Sequence, residues 1–299
     1  MPAPQLAPHP QLETKEMATD RLNLILEGIQ NLDPWPPVAL KVLQLSRQPE
    51  ICPSDLIRVI QTDASITALV LKLCNSAFYG FQQRIASLPE AGNLLGVEAL
   101  SNLVLTTCVH GACSGSGSRG SARGRRLWER SVMNALAASL LAGIDGQVSR
   151  DRAYTAGLLQ NIGHTLIHHH CADFLVEINA LRREGADQLC AEKDVLGLNH
   201  AEIGARLARR WDLPDELVDV ILHHHQPDRA QVDPRLVAVA HMGERVTYAL
   251  ALGEGLGALA YSFSDAKLAL QGIDHGRFEL IENSLMAELQ KVQHLVTAA

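Results

Sequence analysis

An all-α fold follows from three features of the amino-acid sequence. Aromatic residues make up only 4% of the 299 positions while leucine and alanine are abundant, a mix that favours helix packing over a β-sandwich. Apolar residues recur at three- and four-residue spacing through most of the chain, the period of a helix with one buried face. These periodic stretches are mostly too long for strands and are separated by breaks rich in Pro, Gly or Asp. The expected architecture is a two-lobed helical bundle, a second lobe packed on an N-terminal one.

Composition narrows the function classes. The chain is 47% hydrophobic and 20% charged, with a net charge of −7, which argues against a general nucleic-acid or membrane-surface binder. No apolar run approaches the ~18 residues of a membrane span, and the Pro-rich start has no signal-peptide core. The six cysteines (Cys52, Cys74, Cys108, Cys113, Cys171 and Cys190) form no CxxC pair. They read as small core hydrophobes of a reducing, cytoplasmic protein.

Residues 1–20 read as a disordered leader and residues 21–112 as the N-terminal lobe. Leu22 to Ile29 carry a helical pattern that stops at Asp33-Pro34-Trp35-Pro36-Pro37, where proline is placed to open the next helix. Pro53-Ser54-Asp55 starts another helix, and Asp63 is positioned to cap one from Ala64 to Leu73. Asn75 to Gly80 read as a turn. Ser87 and Glu90 have capping-box spacing ahead of a helix that closes at Gly96, and Val97 to Val109 form the next.

Residues 113–124 are a Gly/Ser stretch with arginines, expected to be an exposed linker from Ser114 to Gly124. With Arg125, Arg126 and Arg130 it forms a basic spot, but no aromatic side chains are interleaved for stacking on bases, so nucleic-acid binding is not expected. Residues 125–233 form the second lobe and residues 234–299 a helical extension, ending in an amphipathic helix from Phe278 to Leu295. Within the second lobe, Gln160 and Asn161 interrupt the apolar run of Gly157 to Gly163, and two adjacent buried amides need partners. His164 and His168 share a helix face at a spacing that can hold a transition metal. Without a third ligand in view they read as surface histidines.

Several of these motifs, in this order, resemble the HDOD (HD-related output domain) family of the HD superfamily of metal-dependent phosphohydrolases. The stretch from Leu56 to Gly80 contains Asp63-Ala64-Ser65-Ile66 and an intact Asn75-Ser76-Ala77, and the segment Ser87 to Gly96 is similar to the family's next helix. The likeness runs from about Leu32 to Pro227. Gly157 to Gly163 looks like the superfamily's His-Asp core with Gln160 and Asn161 in place of the imidazole and the carboxylate. His200 and the pair His224 and His225 match its later histidines, and Glu244 stands near its last metal-binding aspartate. Arg130 falls where the resemblance implies the first histidine.

By that resemblance the pocket of Arg130, Gln160, Asn161, His200, His224, His225 and Glu244 is a degenerate metal site, and Asp63, Asn75 and Ser76 are structural. A guanidinium cannot ligate a metal, and a neutral amide cannot bridge two of them. The expectation is a chain with no catalytic residues, no resident metal and no cofactor. It would be a bacterial signalling module acting on receiver, kinase or cyclic-dinucleotide proteins in trans. The alternative is a residual phosphohydrolase with one metal at His200, His224, His225 and Glu244. Arg130 is expected to face Glu244 in a two-point ion pair that replaces the lost metal charge.

Overall fold

A computed structural model describes residues 21–30, 35–114 and 122–252. The expectations for the leader (1–20), for residues 115–121 of the linker and for the 253–299 extension with its Phe278–Leu295 helix lie outside the described residues. Every regular element among the described residues is helical. In chain order these are α1 (residues 21–30), α2 (Pro37–Leu45), α3 (Pro53–Ile60), α4 (Ala64–Cys74), α5 (Leu88–Ser114), α6 (Ala122–Asp145) and α7 (Arg150–Leu159). There follow α8 (Gly163–His170), α9 (Leu175–Arg183), α10 (Gln188–Leu196), α11 (His200–Arg210), α12 (Asp215–His223) and α13 (Pro234–Leu252).

The helix starts have chemical causes. Proline opens α2 and α3, where a missing N–H costs nothing. The Asp63 carboxylate accepts the Ser65 and Ile66 N–H groups at 2.9 and 3.0 Å, capping α4. Asn75 then ties the end of α4 to the approach of α5. Its amide donates to the Leu71 and Ile85 carbonyls and accepts the Ile85 N–H, all within 2.8 Å. Ser76 is buried beside it, so these three residues shape a turn.

Ser87 caps the Glu90 N–H at 3.3 Å, but Glu90 reaches back to the Ala86 N–H rather than to that of Ser87. Gly96 has a φ of 76°, a conformation that favours glycine, and it bends α5 where the sequence predicts one helix closing and another starting. Across the bend α5 is long and apolar enough to cross a membrane, a length not foreseen for two separate helices. Half of that stretch is buried inside the protein, as in a core helix.

Two boundaries differ from expectation. Helix α6 already runs at Ala122 and Gly124 is buried, so the last three residues of the expected linker are helical. The buried residues of α1 belong to the second lobe rather than the first. Ile25 and Ile29 join Leu166, Ile178, Val195 and Ile203 in a small core shared with α8 to α11. Arg21 fixes that placement by donating to the Val195 carbonyl, pairing with Glu177 at 2.9 Å and lying over the Phe174 ring.

The larger core runs from Trp35 to Val246 and joins α2 to α5 with α6, α7, α12 and α13. Three contacts position α13 against the rest. Arg235 makes a two-point pair with Asp145 at the end of α6. The Asp219 carboxylate on α12 accepts the N–H groups of Gln231, Val232 and Asp233, which fixes the connection into α13. Thr247 donates to the buried Asn134 of α6.

Candidate functional site

The site forms where α8, α11, the end of α12 and α13 meet under α6. Gly163 makes it possible: a Cβ there would lie 1.9 Å from the His200 carbonyl oxygen. Only glycine lets α8 approach α11 so closely. His200 enters as the first residue of α11, behind an Asn199 cap and a capping box with Glu202. His224 and His225 leave the C-terminal end of α12.

The structure brings six of the seven expected pocket residues together. Glu244 Oε1 accepts two hydrogen bonds, from Arg130 Nη2 at 2.6 Å and from Asn161 Nδ2 at 2.7 Å. The ion pair is thus a single bond to one guanidinium nitrogen, not the two-point fork expected, because the Asn161 amide shares the same oxygen. Oε2 faces the histidines, 3.8 Å from His224 Nε2 and 3.9 Å from His225 Nε2. His200 Nε2 lies 3.4 Å from His224 Nε2 and 2.9 Å from His225 Nε2. Gln160 is the exception. It is fully buried, but neither of its amide atoms has a hydrogen-bond partner among the described residues.

The outer nitrogens decide what the inner ones can do. His224 Nδ1 donates to the Ile221 carbonyl at 2.9 Å, and His200 Nδ1 donates to Glu192 Oε2 at 2.7 Å. With its Nδ1 proton directed at an oxygen, each ring in its neutral form presents a lone pair at Nε2. The Nε2 atoms of His200 and His224 therefore converge with that of His225 on one point. Four tetrahedral ligands at the usual zinc–nitrogen length stand about 3.3 Å apart, close to these separations. The three histidines fit one transition-metal ion, with carboxylate and carbonyl partners behind two of them.

A binuclear centre does not fit. A permanent cation sits on Glu244, and Asn161 turns a neutral NH₂ toward it.

Burial sets the charge state of the pocket. It holds the His224 imidazolium well below its ordinary range, with the neighbouring His225 adding to the effect. His225 is pushed down to about 4, chiefly by burial and against the pull of Glu244. Burial works to raise Glu244, but the His224, Arg130 and His225 charges and the Asn161 bond more than offset it, leaving the carboxyl low. Since His224 and His225 are neutral near pH 7, the Arg130 guanidinium and the Asn161 bond hold Glu244 ionised there.

Two participants were missed in the sequence. His164, read there as a surface residue, is largely buried and stacks on His200 with centroids 4.0 Å apart. Burial and the nearby His200 keep it neutral. Glu192 is buried behind both rings, its Oε2 on His200 and its Oε1 3.8 Å from His164 Nδ1. Burial would raise it, yet the bonds from His200 and Gln188 hold it low. A signal existed for each: Glu192 lies one turn before the buried Val195 and Leu196, and His164 one turn before Ile167. His168 does not join the site, and His223 instead approaches Asp219 at 3.8 Å.

Comparison with known proteins gives the family and agrees with the fold. The sequence profile of the HDOD domain matches residues 32–227, two thirds of the chain. The chain belongs to the HDOD domain family. An uncharacterised protein of Treponema pallidum is 28% identical over 215 residues, 70% of this chain and 41% of that one. Ribonuclease Y of Thermus thermophilus is 32% identical over 114 residues, 37% of this chain and 15% of the enzyme. The chain thus spans less than half the length of the curated relatives it matches. Among solved structures, an HDOD domain protein of unknown function from Geobacter sulfurreducens superposes with a TM-score of 0.74 at 24% identity, covering 93% and 98% of the two chains. A candidate phosphohydrolase from Shewanella amazonensis gives 0.72 at 23% identity, covering 91% and 98%. At these identities both share the fold with this HDOD chain.

Proposed function

We propose that this HDOD chain is a regulatory module that acts on signalling proteins in trans rather than a hydrolase. Partners of the receiver, kinase or cyclic-dinucleotide class fit that role. One observation carries the reading: Glu244 Oε1, on the carboxylate that faces the His224 and His225 Nε2 atoms, is taken up by Arg130 and Asn161. A hydrolytic binuclear site needs anionic ligands that hold two cations and acidify a bound water, whereas here a guanidinium supplies the positive charge internally. The pocket then serves to pin α6, the turn ahead of α8 and α13 together, and a partner would read the resulting surface.

The convergent Nε2 atoms favour a second reading, a single metal at His200, His224, His225 and Glu244 with residual phosphohydrolase activity. Protein purified without a histidine tag, assayed for metal content and for phosphodiester hydrolysis with added zinc, manganese or iron(II), separates the two. The regulatory reading expects no turnover with any metal. Stoichiometric metal together with turnover that His225→Ala abolishes would establish the enzyme.

A further inference from the structure

Away from the histidines, a cleft of about 360 Å³ opens where α2 and α5 meet the first turn of α7 and the starts of α12 and α13. Glu98, Ser101, Asn102 and Leu105 recur along α5 at the spacing of one helix face and line it. Asp151 and Thr155, one turn apart on α7, line the other side. The Asp151 carboxyl lies within hydrogen-bonding reach of Glu98, and Asn102 Nδ2 is 3.4 Å from Asp151 Oδ1. Ser101 is only 3% exposed, and its hydroxyl has no hydrogen-bond partner among the described residues.

The charges of the cleft do not cancel locally. Arg47 is committed to Glu216 at 2.5 Å and Arg152 to Asp233 at 2.7 Å. Glu98 and Asp151 are left as two neighbouring carboxyls with no cation of their own among the described ion pairs. Burial and the adjacent Glu98 carboxyl raise Asp151 to about 6, the mark of two acidic groups that repel. A buried hydroxyl without a partner and a repelling carboxylate pair share one need, a small cation with oxygen affinity.

We propose that this cleft binds one hard divalent cation of the magnesium or calcium class, held by Glu98, Asp151 and the Ser101 hydroxyl. A half-turn of the Asn102 amide presents its oxygen as a further ligand, and waters in the cleft complete the shell. The donors are all oxygen, so the site is chemically separate from the nitrogen-rich histidine pocket. Its position bridges α5 and α7, and occupancy ties the first lobe to the second.

Thermal melting of the chelator-stripped full chain at pH 7.5 tests the assignment, with magnesium or calcium chloride titrated at constant ionic strength. The expected result is a saturable rise in melting temperature at millimolar cation. Glu98→Gln and Asp151→Asn should each melt at or above the cation-free wild type, because the repulsion is gone, and should show no cation-dependent rise. At pH 5, where Asp151 is mostly protonated, the midpoint cation concentration should increase about tenfold. No rise with either cation up to about 10 mM, an equal rise with sodium alone, or a rise that survives Asp151→Asn would overturn the proposal.

Discussion

At the scale of single residues, the pair between Arg130 and Glu244 is asymmetric, and that asymmetry is measurable. The Glu244 side chain is 8% exposed and that of Arg130 is 44% exposed. Replacing the arginine strands an ionised carboxylate in the protein, whereas replacing the glutamate leaves a guanidinium that can turn to water. Arg130→Met should therefore cost about 2–4 kcal/mol at pH 7 and Glu244→Gln about 1 kcal/mol, read from denaturant midpoints. The Arg130→Met loss should also shrink as the pH falls and Glu244 takes up a proton; equal losses at every pH would contradict this account. Residue identity made Arg130, Asn161 and Glu244 legible in the sequence, since each departs from what the family resemblance implies. Glu192 departs from nothing of that kind. Its role depends on α10 lying behind α11, which no local pattern states.

At the scale of elements, starts and breaks were the legible part, because caps and turns are local chemistry. Asp63 and Gly96 act within a few residues of where they stand in the chain, and Asn75 reaches only ten residues on, to Ile85. The placement of α1 was not legible. Its apolar stripe fits any apolar partner, and only the reach of Arg21 to Val195 and Glu177 selects the core beneath α8 to α11. The contact of α8 with α11 rests on two facing glycines, Gly204 and, more tightly, Gly163. Gly163→Ala would force the two helices apart at the base of the histidine cluster, costing roughly 1–3 kcal/mol or more. Gly111 on α5 is the control: a Cβ there meets nothing within 4 Å, so Gly111→Ala should be neutral or stabilise by up to about 1 kcal/mol. Chemical denaturation of both variants decides this, and a Gly163→Ala protein as stable as Gly111→Ala would refute the close crossing.

At the scale of the whole molecule, the buried imidazoles couple stability to pH. His164, His224 and His241 are kept below their ordinary value by burial, and His225 is pushed to about 4. A depressed folded value means the unfolded chain binds protons first as pH falls through about 6.5. The stabilisation is complete above that pH and is lost on descending toward 4, with His225 alone contributing on the order of 3 kcal/mol. The low Glu192 and Glu244 carboxyls extend the loss below about 4.5. Asp151, raised to about 6, opposes the trend over the same interval but is one group against several. The melting temperature should climb from pH 4 to pH 7 and then level; a maximum near pH 5 would mean the histidines are charged in the folded protein. Whether the lobes unfold together is a separate question, and the core answers it. Trp35 stacks on Trp211 at 5.8 Å with their planes 11° apart, joining the segment ahead of α2 to the end of α11. Trp128, buried on α6, completes the chain's three tryptophans, and all three lie in the one large core. A core continuous through both lobes leaves neither one a surface it could expose alone without losing apolar burial. Denaturant unfolding followed by tryptophan fluorescence and by far-ultraviolet circular dichroism should therefore superimpose in one transition, and two separated midpoints would show that the lobes hold independently.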